Sequence, residues 1–460
     1  MKPGILFLTF AVPLLITWLI LPRLARIAPK IGMLDLPNKR KMHFAPKPRV
    51  GGAGMLVGFS IAAFLFLPSS HLKGYFAGLI VLSAAGLVDD MRELSHRMKF
   101  AVQIAAVLLM VYLDGVVLHS FGNIFGAGDI SLGIFAVPVT VFCAVGAINA
   151  INMVDGLDGL AGGISLIALV VFALLSYSTG HPDLTLLSAA MAGAVIGFLR
   201  YNWQPSKLFM GDTGSMMLGF TLAYLSVAIT QTENSIVPPI AALLVLAIPI
   251  TDTLTVMMKR AWYGKNPFRP DRYHLHHILL RFGIQKDNSV SVLIIQTIAF
   301  AGFALIGSLL AVPESYLFAG FALYFVSYFV VSFYLKKLIR LKVRIMKRIS
   351  ESPKRRYQRR PSGETISFVP RDMDFTDSRT AEVTGKLVNV CDGGFCMLTD
   401  CPLERGHTIS VIGNGNGNGN GNGNGHGNGK KKASTEGRVL WTKRVNGNYI
   451  VGVTYRKLTY

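Results

Sequence analysis

Eleven long apolar stretches, separated by short polar segments, constrain this chain more than any other feature of its sequence. An α-helix needs about 20 mostly apolar residues to cross a bilayer, and 51% of the 460 residues are hydrophobic. The pattern predicts a polytopic all-α membrane protein with about 11 transmembrane helices, followed by a small C-terminal β-barrel domain. The predicted spans are residues 4–21, 51–68, 74–88, 100–118, 131–148, 160–178, 184–199, 214–230, 236–257, 289–311 and 316–335.

The distribution of Lys and Arg predicts how these spans are oriented. The formal net charge is +21, and the basic residues gather in residues 22–50, in residues 258–288 and after the last span. By the positive-inside rule, the N-terminus lies outside and the C-terminus in the cytoplasm. Membrane anchoring explains the charge, so nucleic-acid binding is not expected. The first apolar run has no basic leader and no small-residue cleavage site, which predicts a retained span.

A polar segment between two apolar runs, NAINMVDGLDG at residues 149–159, is the first candidate site. Asn152, Asp155 and Asp158 are spaced by three, which predicts one helical face or one loop rim. A carboxylate at the centre of a bilayer costs about 2.5–3.5 kcal/mol, so a chain that keeps one usually uses it. Oxygen ligands of this type suit Mg²⁺, with Mn²⁺ as an alternative. A helix-capping turn is the competing interpretation, because Asp-Gly is a common turn pair.

Four further polar segments are predicted on the same cytoplasmic face. Each one alone is weak, because an Asp pair often ends a helix, a basic loop often only anchors, and a His cluster can bind zinc. Carboxylates for a metal and cations for phosphate together indicate phosphoryl transfer from a nucleotide donor to a lipid acceptor. The candidate groups are Lys41 and His43 in residues 22–50, Asp89, Asp90 and Lys99 in residues 89–99, Asn202 and Asp212 in residues 200–213, and His274, His276 and His277 in residues 258–288.

The motifs GLVDD, NxxNMVDGLDG, FMGDTGS and HLHH, in this order, resemble those of the polyprenyl-phosphate N-acetylhexosamine-1-phosphate transferases. HLHH and the earlier PNKRKMHxxPxPRVGG resemble the WecA-like branch more than the MraY branch. The resemblance covers about residues 5–335. It implies transfer of a UDP-activated N-acetylhexosamine-1-phosphate, by default GlcNAc-1-phosphate, to undecaprenyl phosphate. The products would be UMP and an undecaprenyl-diphosphate-sugar that primes cell-surface polysaccharide synthesis.

The same resemblance implies roles for single residues and a Mg²⁺ cofactor, and it allows a homodimer. Asp212 is expected to bind the metal, with Asn152 as a second ligand. Asp89 and Asp90 are expected beside the lipid phosphate, Asp89 being the candidate base. Asp155 and Asp158 are expected near the nucleotide. The expected substrate contacts are Lys99, Asn202, His274, His276, His277, Lys41 and His43.

The composition changes after the last predicted span. Residues 336–354 form a basic amphipathic connector, expected to lie along anionic lipid. Residues 355–460 contain the alternating segments GKLVNV, HTISVIG, EGRVLWT and NYIVGVTY, which predict the strands of the β-barrel. A Gly-Asn repeat at residues 413–429 cannot bury a core, so it predicts a disordered loop joining two of these strands.

The C-terminal domain resembles PilZ domains, which are cyclic di-GMP receptors. Arg355 and Arg359 give an RxxxR motif, and Asn389, Cys391 and Gly394 match the second motif, with Cys where Ser is usual. Paired guanidinium groups can bind phosphate and stack on guanine. The resemblance implies regulation of the transferase by cyclic di-GMP. The competing interpretation is a basic membrane anchor followed by a barrel that binds no ligand.

Two other classes of function remain as alternatives. A transporter or flippase would couple ions through carboxylates in the middle of spans, whereas most charged residues here fall in predicted loops or at span ends. A catalytically silent scaffold that only reports cyclic di-GMP would not need the full set of transferase motifs.

Overall fold

The computed structural model describes residues 2–35, 46–68, 70–232, 235–264, 285–350, 360–371, 383–391, 393–412, 434–445 and 447–455. The chain divides into two units, Met1–Leu341 and Lys342–Tyr460. The first unit is helical and the second consists mainly of β-strands.

Ten of the eleven predicted spans each correspond to one helix, and the span predicted at residues 236–257 corresponds to two, α9 and α10. Within the described residues, nine helices are long and apolar enough to cross a membrane, and α9 with α10 would make a tenth span, bent by 82°. The multi-pass helical class is therefore confirmed. The span count falls below 11 because α2, with 16 residues, is shorter than a straight crossing requires. The helices are α1 (Pro3–Ile31), α2 (Gly51–Phe66), α3 (Lys73–Met91), α4 (His96–Asp114), α5 (Ala136–Val154), α6 (Leu160–Ser178), α7 (Pro182–Asn202), α8 (Gly211–Thr230), α9 (Pro239–Val245), α10 (Ala247–Trp262), α11 (Lys286–Leu309) and α12 (Glu314–Ser350).

Several segments predicted as loops are helical at their ends. Asp89 and Asp90 belong to the last turn of α3, Lys99 to the first turn of α4, and Asn149 and Asn152 to α5. Hydropathy marks where a helix leaves the apolar phase, whereas backbone hydrogen bonding continues for another turn. Asn152 is therefore helical, and Asp155 and Asp158 lie in the short turn that follows α5.

Helix α8 lies at the centre of the helical unit. The 18-residue apolar stretch of this helix is 94% buried, and the helix packs against α3, α5 and α2. The contact with α2 is close, because a Cβ added to Gly52 would lie 2.1 Å from the backbone nitrogen of Gly214. Small residues let helices approach in this way inside a membrane. The first turn of α8, which contains Asp212, is thereby fixed between several helices.

Two short strands and the connection from α7 to α8 form a backbone ladder. Strand β1 (Leu34–Asp35) pairs antiparallel with β2 (Lys47–Pro48). The Phe209 N–H donates to the Pro48 carbonyl at 2.8 Å, and the Gly52 N–H donates to the Met210 carbonyl at 2.7 Å. The ladder ties the start of α2 to the residues that lead directly into α8.

The second unit contains the predicted β-barrel. Six strands close in the order β5-β4-β7-β8-β9-β6, with β6 pairing back to β5, all antiparallel. All four alternating segments lie in strands, and β7 pairs with β8 on either side of the Gly-Asn repeat, which itself lies outside the described residues. The strands are β3 (Arg360–Pro361), β4 (Thr365–Pro370), β5 (Val383–Cys391), β6 (Gly394–Thr399), β7 (Thr408–Ile412), β8 (Ser434–Val445) and β9 (Asn448–Tyr455).

The segment predicted as a connector continues the last span. Helix α12 runs without a break from Glu314 to Ser350, so residues 336–350 extend the same helix.

Candidate active site

Three charged side chains meet where α3 ends and where α4 and α8 begin. The Lys99 ammonium donates to Asp89 Oδ2 at 2.6 Å and also to Asp212 Oδ2. Asp89 Oδ1 accepts from the Leu94 N–H at 2.7 Å. Two carboxylates so close together would repel each other without the ammonium between them. Lys99 therefore holds the pair in place and balances its charge.

Asp90 organises the first turn of α8. Its carboxylate accepts the Asp212 N–H at 2.8 Å, the Thr213 N–H at 3.1 Å and the Thr213 hydroxyl at 2.6 Å. The first N–H groups of a helix have no partner within the helix, and a carboxylate also suits the positive end of the helix dipole. Asp90 thus caps α8 from another helix and orients Asp212. Its predicted catalytic role stays a prediction.

Gly211 makes this cap possible. Its φ is +74°, and an added Cβ would lie 2.6 Å from both carboxylate oxygens of Asp90. We expect Gly211→Ala to lower the melting temperature of the purified protein more than Gly115→Ala. Gly115 has a similar φ of +65° but no atom within 4 Å of an added Cβ, so only the backbone strain, about 1 kcal/mol, applies there. Equal melting temperatures for the two variants would show that the contact with Asp90 does not matter.

A cleft of about 1070 Å³ opens beside these carboxylates. Along α5 it is lined from Pro138 to Asp155, a rise of about 26 Å at 1.5 Å per residue, which approaches the thickness of a bilayer core. Its walls are mainly apolar side chains of α4, α5, α8, α9 and α10. Its polar lining includes Lys99, Asn149, Asn152, Asp155, Asp212 and Arg260.

Asp155 follows the last residue of α5 and is only partly accessible. Burial raises the pKa of its carboxyl well above the usual range, and the charges of Asp212, Asp90 and Asp158 raise it further. Both effects disfavour the ionised form of the Asp155 carboxyl. A cation entering the cleft would therefore favour the ionised form of Asp155.

Asp158 and Asn202 join two connections near the cleft. Asp158 Oδ2 accepts from the Ser206 N–H at 3.3 Å. Asn202 Oδ1 accepts from the Gly159 N–H at 2.9 Å, and its amide donates to the Leu208 carbonyl at 2.9 Å. These contacts tie the turn after α5 to the connection between α7 and α8. The predicted nucleotide role of Asp158 and the predicted substrate role of Asn202 stay predictions.

The structure brings Asn152, Asp155, Asp212 and Lys99 to one cleft, with Asp89 and Asp90 directly behind them. Arg260 and Asn149 also line this cleft; both belong to the polar segments of the sequence, Asn149 as the first residue of NxxNMVDGLDG, but no role was predicted for either. Arg260 lies in the last turn of α10, and Asn149 lies one turn before Met153 in α5. Several predicted site residues lie outside the described residues, namely Lys41, His43, His274, His276, His277, Arg355 and Arg359.

The oxygen donors in the cleft suit a hard cation. In the described part of the chain, no three His, Cys, Asp or Glu side chains converge into a complete metal cage. Mg²⁺ does not require one, because it usually keeps several waters and binds one or two carboxylates plus substrate phosphates. Asp212 and Asp155, with the amide of Asn152, match that requirement, so these residues would hold the ion.

Comparison with known proteins agrees with the transferase motifs. Residues 72–230 match the family model described as glycosyl transferase family 4. The chain is 33% identical over 309 residues to the undecaprenyl-phosphate alpha-N-acetylglucosaminyl 1-phosphate transferase of Haemophilus influenzae, covering 65% of this chain and 86% of the relative. It is 33% identical over 350 residues to the Escherichia coli K12 protein of the same name, covering 74% and 92%. It is 35% identical over 293 residues to the probable undecaprenyl-phosphate N-acetylglucosaminyl 1-phosphate transferase of Bacillus subtilis, covering 63% and 81%.

The family match lies within the helical unit, and the PilZ-like character of the C-terminal barrel stays a prediction. The matched residues 72–230 contain Asp89, Asp155 and Asp212, and the relatives are matched over more than four-fifths of their own length. The chain therefore belongs to glycosyl transferase family 4, in the branch of the undecaprenyl-phosphate N-acetylglucosaminyl 1-phosphate transferases.

Proposed function

We propose that this protein transfers N-acetylglucosamine-1-phosphate from UDP-N-acetylglucosamine to undecaprenyl phosphate and releases UMP. The observation that carries the proposal is a mainly apolar cleft, nearly as long as a bilayer core is thick, whose polar lining contains Lys99, Asp212 and Asp155. A lipid tail fits the apolar walls, and its phosphate fits the charged groups. The names of the relatives support the same donor sugar and acceptor.

The reaction is a displacement at phosphorus. An oxygen of the acceptor phosphate attacks the β-phosphorus of the donor, and the bond from that phosphorus to the oxygen shared with the α-phosphate breaks, so UMP leaves with both bonding electrons. Such reactions depend on positioning and charge stabilisation more than on covalent help from the protein. Lys99 and Arg260 supply positive charge along the cleft. Asp89 orients Lys99, and its predicted role as base is secondary because a lipid phosphate is largely ionised near neutral pH.

We propose Mg²⁺ as the cofactor, held by Asp212, Asp155 and Asn152. When bound, it would neutralise charge on the donor diphosphate. We expect UMP release to require both substrates and to fall to background in excess EDTA. Added Mg²⁺ should restore it, and Mn²⁺ should substitute. UMP release that continues unchanged in EDTA, after removal of bound metal by dialysis, would reject the metal role.

The position of the charged groups favours a transferase over a transporter. Asp89, Asp90, Lys99 and Asp212 lie in the first or last turns of their helices, near the ends of spans. The positive-inside rule supports a cytoplasmic location for this end of the bundle, where the nucleotide sugar is available.

We also propose that the C-terminal barrel binds cyclic di-GMP and regulates the transferase. Strand β3 pairs with β5, with Arg360 opposite Val390 and Pro361 opposite Asn389, so the end of the basic motif segment lies beside the second motif. The Cys391 thiol donates to the Gly394 carbonyl at 3.3 Å. At Gly394, φ is +152°, and an added Cβ would lie 2.1 Å from the Val453 carbonyl oxygen.

Calorimetry with the full-length protein in detergent tests this second proposal. We expect saturable heat from cyclic di-GMP with the wild type and with Lys386→Ala, which changes an exposed residue of the same strand β5. Asn389→Ala and Arg359→Ala should weaken binding by about tenfold or more, the effect of losing a hydrogen bond to a charged group. No heat from the wild type at high micromolar nucleotide would reject ligand binding.

A further inference from the structure

Helix α10 presents two different faces. The residues that line the cleft, Ile250, Thr253, Leu254, Met257 and Arg260, follow the spacing of one helical face. Asp252 and Lys259 point to the opposite side, where both are buried. Ionisable groups in a membrane-spanning segment cost free energy, so this second face of α10 is expected to have a role.

The second face of α10 contacts α12 through two polar pairs. The Tyr328 hydroxyl donates to Asp252 Oδ1 at 2.7 Å. The Lys259 ammonium donates to the Ser332 carbonyl at 2.7 Å and to its hydroxyl at 3.1 Å. All four residues are at most 9% exposed. Tyr328 and Ser332 are four residues apart on α12, and Asp252 and Lys259 are two turns apart on α10, so the pairs form two successive rungs.

The two rungs fix the rotation of α10 about its axis, which apolar packing alone would leave free. Between lipid-embedded helices there is little hydrophobic driving force to select one rotation, whereas directed hydrogen bonds select one. Directed contacts that select one rotation are needed more in α10, because it is the second half of a span that is bent by 82° after the seven-residue helix α9. The contacts with α12 therefore set the rotation of α10 about its own axis.

The rotation of α10 determines where Arg260 lies. The hydroxyl of Thr253 lies 4.0 Å from the sulfur of Met153, in the last turn of α5. Arg260 is two turns further along α10, and it lines the same cleft as Asp155. If α10 rotated about its axis by the angle between successive residues, a neighbouring residue would take the place of Arg260 in the cleft.

We propose that Tyr328 and Ser332 are positioning residues that hold α10, and with it Arg260, in register with the charged end of the cleft. Neither residue lines the cleft. The inference rests on the proposed transferase function, which gives Arg260 its phosphate to bind.

Two matched pairs of variants test the inference in the full-length protein. Tyr328→Phe removes the hydroxyl that reaches Asp252, and Tyr334→Phe removes an exposed hydroxyl of the same helix. Ser332→Ala is a milder change, because it removes only the hydroxyl and the backbone carbonyl of residue 332 still accepts from Lys259. Ser327→Ala, at an exposed position of the same helix, is its control. We expect Tyr328→Phe to lower kcat/KM for the lipid acceptor by about tenfold, since displacement of a binding group by 1 Å can cost up to 100-fold. Ser332→Ala should lower it less, and the controls should stay within about twofold of the wild type.

A double-mutant cycle separates positioning from a general loss of stability. If Tyr328 acts through Arg260, Tyr328→Phe should have little further effect in an Arg260→Lys background. Additive losses in kcat/KM would overturn that link.

The native Cys143 gives a readout that does not depend on activity. Cys143 lines the same cleft from α5, and the yield of its modified peptide after treatment with N-ethylmaleimide reports access to the cleft. We expect Tyr328→Phe to change its labelling rate by at least about threefold, because α10 gains other orientations, and Tyr334→Phe to leave it unchanged. Equal labelling and equal kcat/KM in Tyr328→Phe and Tyr334→Phe would overturn the inference. If the labelling rates of Tyr328→Phe and Tyr334→Phe differ but the wild-type protein releases no UMP, the positioning of α10 is supported and the proposed function is rejected. Ser332→Ala is judged by the same criteria against Ser327→Ala if Tyr328→Phe does not fold.

Discussion

Asp212→Asn should reduce turnover by about 1,000-fold while the protein remains folded, the upper end of the 100-fold to 1,000-fold cost of removing one preorganised electrostatic group. The change keeps the shape of the side chain and removes its charge. The backbone N–H of residue 212 still donates to Asp90, so the cap on α8 persists. The change therefore removes only the negative charge of the side chain, which would bind the metal and which pairs with Lys99.

The measurement is UMP release by the purified variant, together with its melting temperature. Asp183→Asn is the matched control, because Asp183 lies in the first turn of α7 and pairs with the exposed His71 at 2.8 Å, away from the cleft residues. The control should stay within about twofold of the wild type. Turnover by Asp212→Asn at the wild-type rate would contradict the metal role of this residue.

Lys99→Met should give the second-largest loss, about 100-fold in turnover, the lower end expected for a missing electrostatic group. Lys99 is the cation that bridges Asp89 and Asp212, so its removal leaves two close carboxylates without their shared partner. The folded protein should therefore also lose stability. Lys73→Met, at the exposed start of α3, is the matched control.

Adding Asp89→Asn to Lys99→Met separates the two effects. The double variant removes one negative charge with the positive one, so its melting temperature should recover towards the wild type. Its turnover should not recover, because the ammonium of Lys99 is still missing from the cleft. Recovery of both would mean that Lys99 only balances charge.

The helical spans could be predicted because membrane crossing depends on local composition. Ten of the eleven predicted spans each correspond to one helix, and each alternating segment of the C-terminal unit overlaps a barrel strand. The break between α9 and α10 was not predicted, since a hydropathy window averages over it. Pro249, in the first turn of α10, carries the missed signal, because proline lacks the N–H that a continuous helix would need.

The sequence motifs indicate which residues gather at the candidate site better than they indicate what each residue contacts. Motifs identify Asp90 and Asn202 as site residues, yet the structure gives both of them contacts that fix the backbone near the cleft. Asp90 contacts Thr213, which is 123 residues away, and no local pattern encodes such a pairing. The same holds for Tyr328 and Asp252, which are separated by 76 residues.

The fate of the β-phosphate of the donor tests the proposed function most directly. UDP-N-acetylglucosamine labelled at the β-phosphorus would be incubated with the purified protein, Mg²⁺ and undecaprenyl phosphate, and the lipid and aqueous fractions would be counted. Transfer of sugar-1-phosphate predicts that the label moves to the lipid fraction, with one unlabelled UMP released for each labelled lipid formed. Label that remains in the aqueous fraction as UDP while the sugar moves to the lipid, or no transfer at all, would contradict the account.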